Sequence, residues 1–251
     1  MMFRDRLRNR ELVLGTWFTI PSLALADVIC SSDIDYLIID REHGPLSFES
    51  VLNCAVAAKS NNIASIVRCT DVNPAEILRC LDVGVDGIQV PNISSVGQVQ
   101  DLLNFALYPP EGNRGYSVFT RNGRYGALPA GEMPKIRNDN TAIIINIESV
   151  DSAENIQDFL QFERIDAFFI GLFDLSKSLG NPGDFTTSAF KELVKDVTTA
   201  CKDAGRSVGT ICKDVATAKG YIDLGMNYIV YSVDNNIIRL AYQNFVEEIK
   251  M

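Results

Sequence analysis

The chain has 251 residues, 47% of them hydrophobic and 22% charged, with a formal net charge of −9 at neutral pH. That length and balance suit a globular chain with a sizeable core, and the acid excess excludes the basic footprint a nucleic-acid partner requires. No run is apolar enough to span a bilayer, and the opening MMFRDRLRNRELVLG lacks the apolar stretch of a signal sequence, so no membrane partner and a cytoplasmic location are expected.

Along the chain, short apolar runs alternate with longer segments of helical period. Strands are predicted over 13–18, 36–40, 65–69, 87–91, 142–148, 167–171, 207–212 and 228–232, with helices near 21–32, 47–60, 74–82, 95–106, 152–162, 188–204, 214–224 and 236–249. Asn73-Pro74 has the pattern of a helix start, and Asp214 stands where an N-cap would. Strict alternation of this kind implies a parallel sheet, and about 250 residues suit an α/β fold of the closed (β/α)8 type, a TIM barrel, as one domain over residues 1–251. An open doubly wound sheet is the alternative, but no GxGxxG follows the first strand. A faint repeat supports closure: IDYLII, VDGIQV, IDAFFI and MNYIVY each put Asp or Asn just before strands two, four, six and eight. Residues 108–140 form the one long connection, rich in Gly, Pro, Asn and Arg, and such segments in enzymes are often functional.

The six cysteines (Cys30, Cys54, Cys69, Cys80, Cys201, Cys212) contain no CxxC pair and read as reduced, mostly buried thiols; with one histidine, a zinc site is poorly supported.

In a barrel of this kind the chemistry collects at the carboxyl ends of the strands. Strand two delivers Asp40, Glu42 and His43, the only histidine; strand three delivers Arg68; Glu148 ends strand five, and Asp174 follows strand six. Glu148 and Asp174 read either as a hard-cation pair, suited to an ion that takes oxygen ligands and keeps waters, or as helix caps. Arg68 at the end of an apolar run needs an anion, either a substrate or a strand-end carboxylate. His43 is either a general acid–base near neutrality or a solvated loop residue. Arg114, in the shaped loop YPPEGNRGYS, is placed to meet an anion or to brace the barrel mouth.

Six ordered blocks, together with GTWF at 15, now carry a resemblance: IDREHGP, Val67-Arg68, LDVGVDGIQVP, YPPEGNRG, Ile147-Glu148 and IGLFDLSKSLG. Over nearly the whole length the chain resembles the HpcH/HpaI aldolases, metal-dependent enzymes that cleave 4-hydroxy-2-keto acids to pyruvate and an aldehyde. The resemblance implies that Glu148 and Asp174 bind a divalent metal (Mg²⁺, Mn²⁺ or Co²⁺), which chelates pyruvate and acts as a Lewis acid. It further implies that Arg68 holds the enolate oxygen and the aldehyde-derived oxygen, and that His43, oriented by Asp82, handles the hydroxyl proton. The amides around Phe173 and Asp174 would take the substrate carboxylate, and Trp17 would shape the aldehyde pocket. Family members commonly exchange the last helix and assemble as hexamers, so a homo-oligomer, a hexamer or trimer of dimers, is implied. The apolar set of that helix, including Ile237, Leu240, Phe245 and Ile249, exceeds what one barrel face needs.

Two departures stand at the substrate end. Asn146 replaces the family's usual pyruvate-contacting glutamine, and Gly171-Leu172-Phe173 replaces a Gly-Pro-small sequence. They keep open a citrate-synthase-like condensation of oxaloacetate with acetyl-CoA on the same barrel, and, from a different class, a binding barrel without turnover. A Schiff-base aldolase would need a barrel lysine, for which Lys213 is the only candidate.

Overall fold

The structure, a computed structural model, describes residues 1–250. Eight strands close in sequence order into a parallel barrel: β1 Val13–Phe18, β2 Tyr36–Asp40, β3 Ala64–Arg68, β4 Gly87–Val90, β5 Ala142–Ile147, β6 Ala167–Ile170, β7 Ser207–Cys212 and β8 Tyr228–Val233. The closed barrel predicted from alternation is therefore what forms, with strand limits shifted by a residue or so.

The Asp/Asn repeat has a physical explanation. Asp35, Asp86, Asp166 and Asn227 each precede an even strand, and each donates its own backbone N–H to the carbonyl of one residue at the start of the strand before it: Leu14, Ser65, Ile143 and Val208. Their side-chain oxygens then accept the N–H of those same four residues, at 2.8, 2.9, 3.0 and 3.2 Å. Every odd strand is thus clamped at its amino end by the strand that follows, which leaves no orphan donor where the ladder begins.

Apolar packing forms two layers. Inside the barrel lie Trp17, Tyr36, Ile38, Ile144, Phe169 and Tyr228, with the Tyr36 and Tyr228 rings stacked 4.7 Å apart. Between strands and helices lies the larger layer, to which all six buried cysteines belong. The charged amino-terminal segment folds into the helix Phe3–Arg8, which the sequence reading did not anticipate. It plugs the amino end of the barrel with Phe3 and Leu7, while Arg4 Nε bonds Asp166 at 2.9 Å.

Helix starts follow local chemistry. Asn73 Oδ1 accepts the N–H of Ala75 and Glu76 ahead of Pro74–Asp82, and Asp214 accepts that of Thr217 ahead of Val215–Leu224. The predicted helix over 152–162 is two short helices, Val150–Glu154 and Ile156–Phe159. The long connection contains a 3₁₀ turn, Arg121–Gly126, and the helix Met133–Asn140. The last helix, Asp234–Lys250, runs off the barrel, and every residue from Arg239 to Lys250 is exposed. No helix among the described residues is long and apolar enough to cross a membrane.

Candidate active site

The register of β2 against β3 sets Asp40 beside Arg68, the last residue of each strand. Arg68 Nε donates to Asp40 Oδ1 at 2.8 Å and Nη2 to Oδ2 at 2.6 Å, while Nη1 stands 3.0 Å from Glu42 Oε2. The guanidinium also lies over the Trp17 ring, 4.5 Å from its centroid. Arg68 therefore has its strand-end carboxylate, and the same guanidinium lines a cavity. Burial pushes the Glu42 carboxyl up, with Arg68 opposing and Glu148 adding to the rise.

Asp40 does a second task. Its Oδ1 accepts the backbone N–H of Glu42 and of His43, curling the chain after β2. Gly44 completes the curl, because a Cβ there would run into the Asp40 carbonyl oxygen. The result presents the exposed His43 to the cavity.

Across the barrel, Glu148 follows β5 and is almost fully buried. Its Oε1 accepts the N–H of Asn92 at 2.6 Å and its Oε2 the Asn146 amide at 2.9 Å. Asn146 in turn accepts from Gln89 at 2.9 Å, and Gln89 accepts from the Tyr228 hydroxyl at 3.0 Å. This chain of polar groups through the barrel interior orients the carboxylate. Gly171 makes room for it, since a Cβ at 171 would lie 2.9 Å from Glu148 Oε2. Asp174 lies in the first turn of the helix Leu172–Ser178, half exposed, with Lys177 Nζ 2.6 Å from its Oδ1.

These residues surround one cavity of about 590 Å³ at the carboxyl end of the barrel. Of the residues predicted from sequence, Trp17, His43, Arg68, Asn146, Glu148, Phe173 and Asp174 all line it. Asp82 does not. It ends the helix Pro74–Asp82, which descends to the amino end of β4, and its carboxylate accepts a 2.6 Å bond from Arg114. Asp82 is thus engaged by Arg114 outside the cavity wall of its own chain, and Arg114, buried over the Tyr108 ring, braces that helix rather than the barrel mouth. Lys213 is exposed and absent from the cavity wall, which removes the Schiff-base candidate.

Sequence reasoning weighed a strand-end carboxylate as the partner of Arg68 and placed Asp40 at a strand end, without joining the two as the register of β2 and β3 does. It missed Gln89, whose signal was a lone amide inside an otherwise apolar strand, and Asp234. That buried carboxylate accepts the N–H of Thr19 at 3.0 Å and of Ile20 at 2.9 Å, holding the loop after β1 against the cavity. Trp17 Nε1 is buried with no hydrogen-bond partner.

Among the described residues, no three His, Cys, Asp or Glu side chains gather closely enough to hold a metal by themselves. Glu148 and Asp174 nevertheless face the same cavity, and each Glu148 oxygen has one hydrogen bond and so keeps a lone pair. The Lys177 contact is an exposed pair that a ligand displaces cheaply. Two carboxylates that leave the other positions to water and substrate fit a hard divalent ion.

The family model for HpcH/HpaI aldolase/citrate lyase matches residues 14–240. A hydroxypyruvate/pyruvate aldolase of Delftia acidovorans (strain DSM 14801 / SPH-1) is 28% identical over 240 residues, 95% of this chain and 88% of the relative. A solved HpcH/HpaI aldolase/citrate lyase family protein from Burkholderia cenocepacia J2315 superposes with a TM-score of 0.94 at 25% identity, covering 99% of this chain and 98% of the other. The citrate synthase SbnG superposes with a TM-score of 0.89, also at 25% identity, over 99% and 97%. The family match spans all but the two ends of the sequence and agrees with the fold: the chain belongs to the HpcH/HpaI aldolase/citrate lyase family.

Proposed function

We propose that the chain is a divalent-metal-dependent lyase that cleaves a 4-hydroxy-2-keto acid to pyruvate and an aldehyde, and runs the reverse aldol addition. The observation that carries this reading is the convergence of Glu148, Asp174, Arg68 and His43 on one cavity, from four separate strand ends, in a member of this family.

Glu148 and Asp174 would hold the ion (Mg²⁺, Mn²⁺ or Co²⁺), which when bound supplies Lewis-acid polarisation of the substrate keto group. The chain's own residues do the rest. His43 takes the proton from the C4 hydroxyl as the C3–C4 bond breaks, the electron pair passing into the pyruvate enolate and the aldehyde leaving. The same imidazole, or a water it holds, returns a proton to C3. Arg68 has two N–H groups fixed on Asp40, so its guanidinium is pre-oriented and the N–H groups left over face the oxygens where negative charge develops. Asp40 is a positioning residue for Arg68 and for the His43 loop. The first-turn N–H groups at Phe173 and Asp174 take the substrate carboxylate, and Trp17 with Phe169, packed edge to face at 5.0 Å, excludes water from the aldehyde side.

Asn146, directed onto Glu148 and Gln89, orients the metal carboxylate and lines the cavity where the donor substrate would bind. The exposed apolar residues of the last helix (Leu240, Phe245, Val246, Ile249) support helix exchange within a homo-oligomer, a hexamer or trimer of dimers. Six buried thiols fit a cytoplasmic location. The fold shared with SbnG keeps citrate-forming condensation of oxaloacetate with acetyl-CoA as the second reading.

The test is to strip the protein of metal and follow pyruvate release from a panel of 4-hydroxy-2-keto acids, with and without Mg²⁺ or Mn²⁺. Metal-dependent release that collapses in Glu148→Ala is the expected result. No pyruvate from any substrate would overturn the proposal and direct attention to oxaloacetate with acetyl-CoA.

A further inference from the structure

The amino end of the barrel, opposite the active site, carries a second polar concavity. A cavity of about 280 Å³ is lined by Lys59, Arg121, Arg124 and Arg137, with Asp86 the one carboxylate on its wall. Lys59 lies in the last turn of the helix Phe48–Ser60; Arg121 and Arg124 come from the 3₁₀ turn; Arg137 comes from the helix Met133–Asn140. Four cations against one carboxylate leave three positive charges uncompensated, in a chain whose overall charge is −9.

Their pairing shows that the fold does not balance them. No carboxylate stands within ion-pair distance of Lys59, Arg121, Arg124 or Arg137 among the described residues. Arg121 Nη1 is held by the carbonyls of Val83 and Gly84, both at 2.9 Å. The Nε of Arg137 is buried and has no hydrogen-bond partner. Burial and the like charge of Arg124 push the Arg137 guanidinium down from its ordinary value, with Asp86 opposing. Asp86 is already engaged as the clamp on Ser65, whose N–H and hydroxyl both donate to its Oδ2. Arg124 and Tyr125 both adopt left-handed backbone conformations, at φ 52° and 56°, which are costly for such residues and are held in place by the surrounding loop. A guanidinium kept half out of water beside its own kind is an unfavourable arrangement unless an anion joins it.

The concavity continues into a smaller one of about 110 Å³, which shares Lys59, Asp86, Arg124 and Arg137 and adds an apolar wall of Met2, Phe3, Val85, Leu128 and Ile136. We infer that this end of the barrel binds a small phosphorylated molecule, its phosphoryl group among Arg121, Arg124, Arg137 and Lys59 and its short organic part against the apolar wall. A phosphoryl group brings nearly two negative charges and several acceptor oxygens, which answers three excess cations better than one carboxylate does, and guanidinium groups match its geometry.

The test is calorimetric titration of the intact chain in low-salt, phosphate-free buffer with inorganic phosphate, glycerol 3-phosphate and malonate. The inference expects one saturable phosphate site per chain, tighter binding of glycerol 3-phosphate, weaker binding of malonate, and a melting temperature that rises with phosphate. Arg137→Met removes no hydrogen bond from the fold and is expected to weaken phosphate at least about tenfold, with Arg124→Gln doing the same from an exposed position. Glu148→Ala, at the other end of the barrel, is expected to leave phosphate affinity unchanged. The wild-type titration alone decides the matter should either arginine variant fail to fold: absence of saturable binding overturns the inference. So does unchanged affinity in both arginine variants, or loss of binding in Glu148→Ala, which would place the phosphate in the active site. Malonate binding more tightly than phosphate would overturn the phosphoryl assignment. Sedimentation gives the last arm: if both arginine variants dissociate an assembly and no phosphate binds, an acidic side chain of a second copy fills the cavity and the inference falls.

Discussion

Asp40→Asn separates positioning from bulk stability at the cavity. Asp40 is 2% exposed and accepts four bonds, from Arg68 Nε and Nη2 at 2.8 and 2.6 Å and from the N–H of Glu42 and His43 at 3.0 and 3.3 Å. Asparagine has nearly the same shape but one acceptor oxygen and no charge. One of the two Arg68 bonds is lost outright, and the new NH₂ opposes a guanidinium N–H. Removing one partner of a buried ion pair costs about 3–5 kcal/mol. Arg68 keeps its 3.0 Å contact with Glu42 and its place over Trp17, so the expected loss of unfolding free energy falls just below that range, about 2–3 kcal/mol. Activity should fall further than stability predicts. A guanidinium released from its fork no longer meets the developing oxyanion pre-oriented, and losses of such donors run to about 10²–10³ in kcat. The assays are guanidinium chloride unfolding and metal-dependent pyruvate release, on wild type, Asp40→Asn and Glu42→Gln. Because Glu42 touches only Nη1, Glu42→Gln should cost less on both counts. If Asp40→Asn unfolds at the wild-type midpoint, or keeps wild-type kcat while destabilised, the claim that Asp40 positions Arg68 for catalysis is wrong.

Gly171→Ala should leave the chain folded but lower metal-dependent turnover about 10–100-fold, because the new Cβ falls 2.8 Å from Glu148 Cβ and displaces the carboxylate; a metal titration of pyruvate release reads this directly. Gln89→Leu strands the Tyr228 hydroxyl and the Asn146 carbonyl inside the barrel, and urea unfolding should show a loss of about 2–4 kcal/mol. Burial pushes the Asp166 carboxyl up to about 6, with Arg4 opposing. Between its ordinary value and 6 the folded chain therefore binds a proton that the unfolded chain releases, so Asp166's contribution is full below that window and declines as pH rises through it. Unfolding midpoints of wild type and Asp166→Asn at pH 4.5 and 6.5 should show the wild type losing ground to the variant on going up, and a difference independent of pH would contradict the assignment.

Sequence showed most where the signal was local. The alternation of apolar runs with helical segments placed all eight strands, and Asn73 and Asp214 marked helix starts that their side chains cap. The candidate residues at the cavity were legible because strand ends in a closed barrel share one mouth, so Arg68, Glu148 and His43 could be grouped without knowing any distance. Less legible was the three-dimensional placement of helix ends. Asp82 sits in a motif that reads as part of the site, but a helix leaving the mouth of a barrel must finish at the opposite end, where Asp82 meets Arg114. The helix Phe3–Arg8 was hidden for a different reason. It is six residues long and mostly charged, so it has too little propensity to form alone. It exists because Phe3 and Leu7 fill the open end of the barrel while Arg4 finds Asp166.

The two ends of the barrel use acidic residues in opposite ways, and this bears on how the proposed phosphate site would act. At the carboxyl end, Asp40, Glu148 and Asp174 line the cavity, Asp40 with both oxygens engaged by Arg68 and the chain after β2. At the amino end, Asp35, Asp86, Asp166 and Asn227 face sideways into the backbone of the preceding strand and hold the ladder closed. Asp86 alone among these four also lies on the wall of the cationic concavity. There its Oδ2 stays on Ser65 while its charge opposes, from beyond ion-pair distance, the downward push on Arg137. A bound phosphoryl group would take over the guanidinium and leave the whole of the Asp86 carboxylate to Ser65.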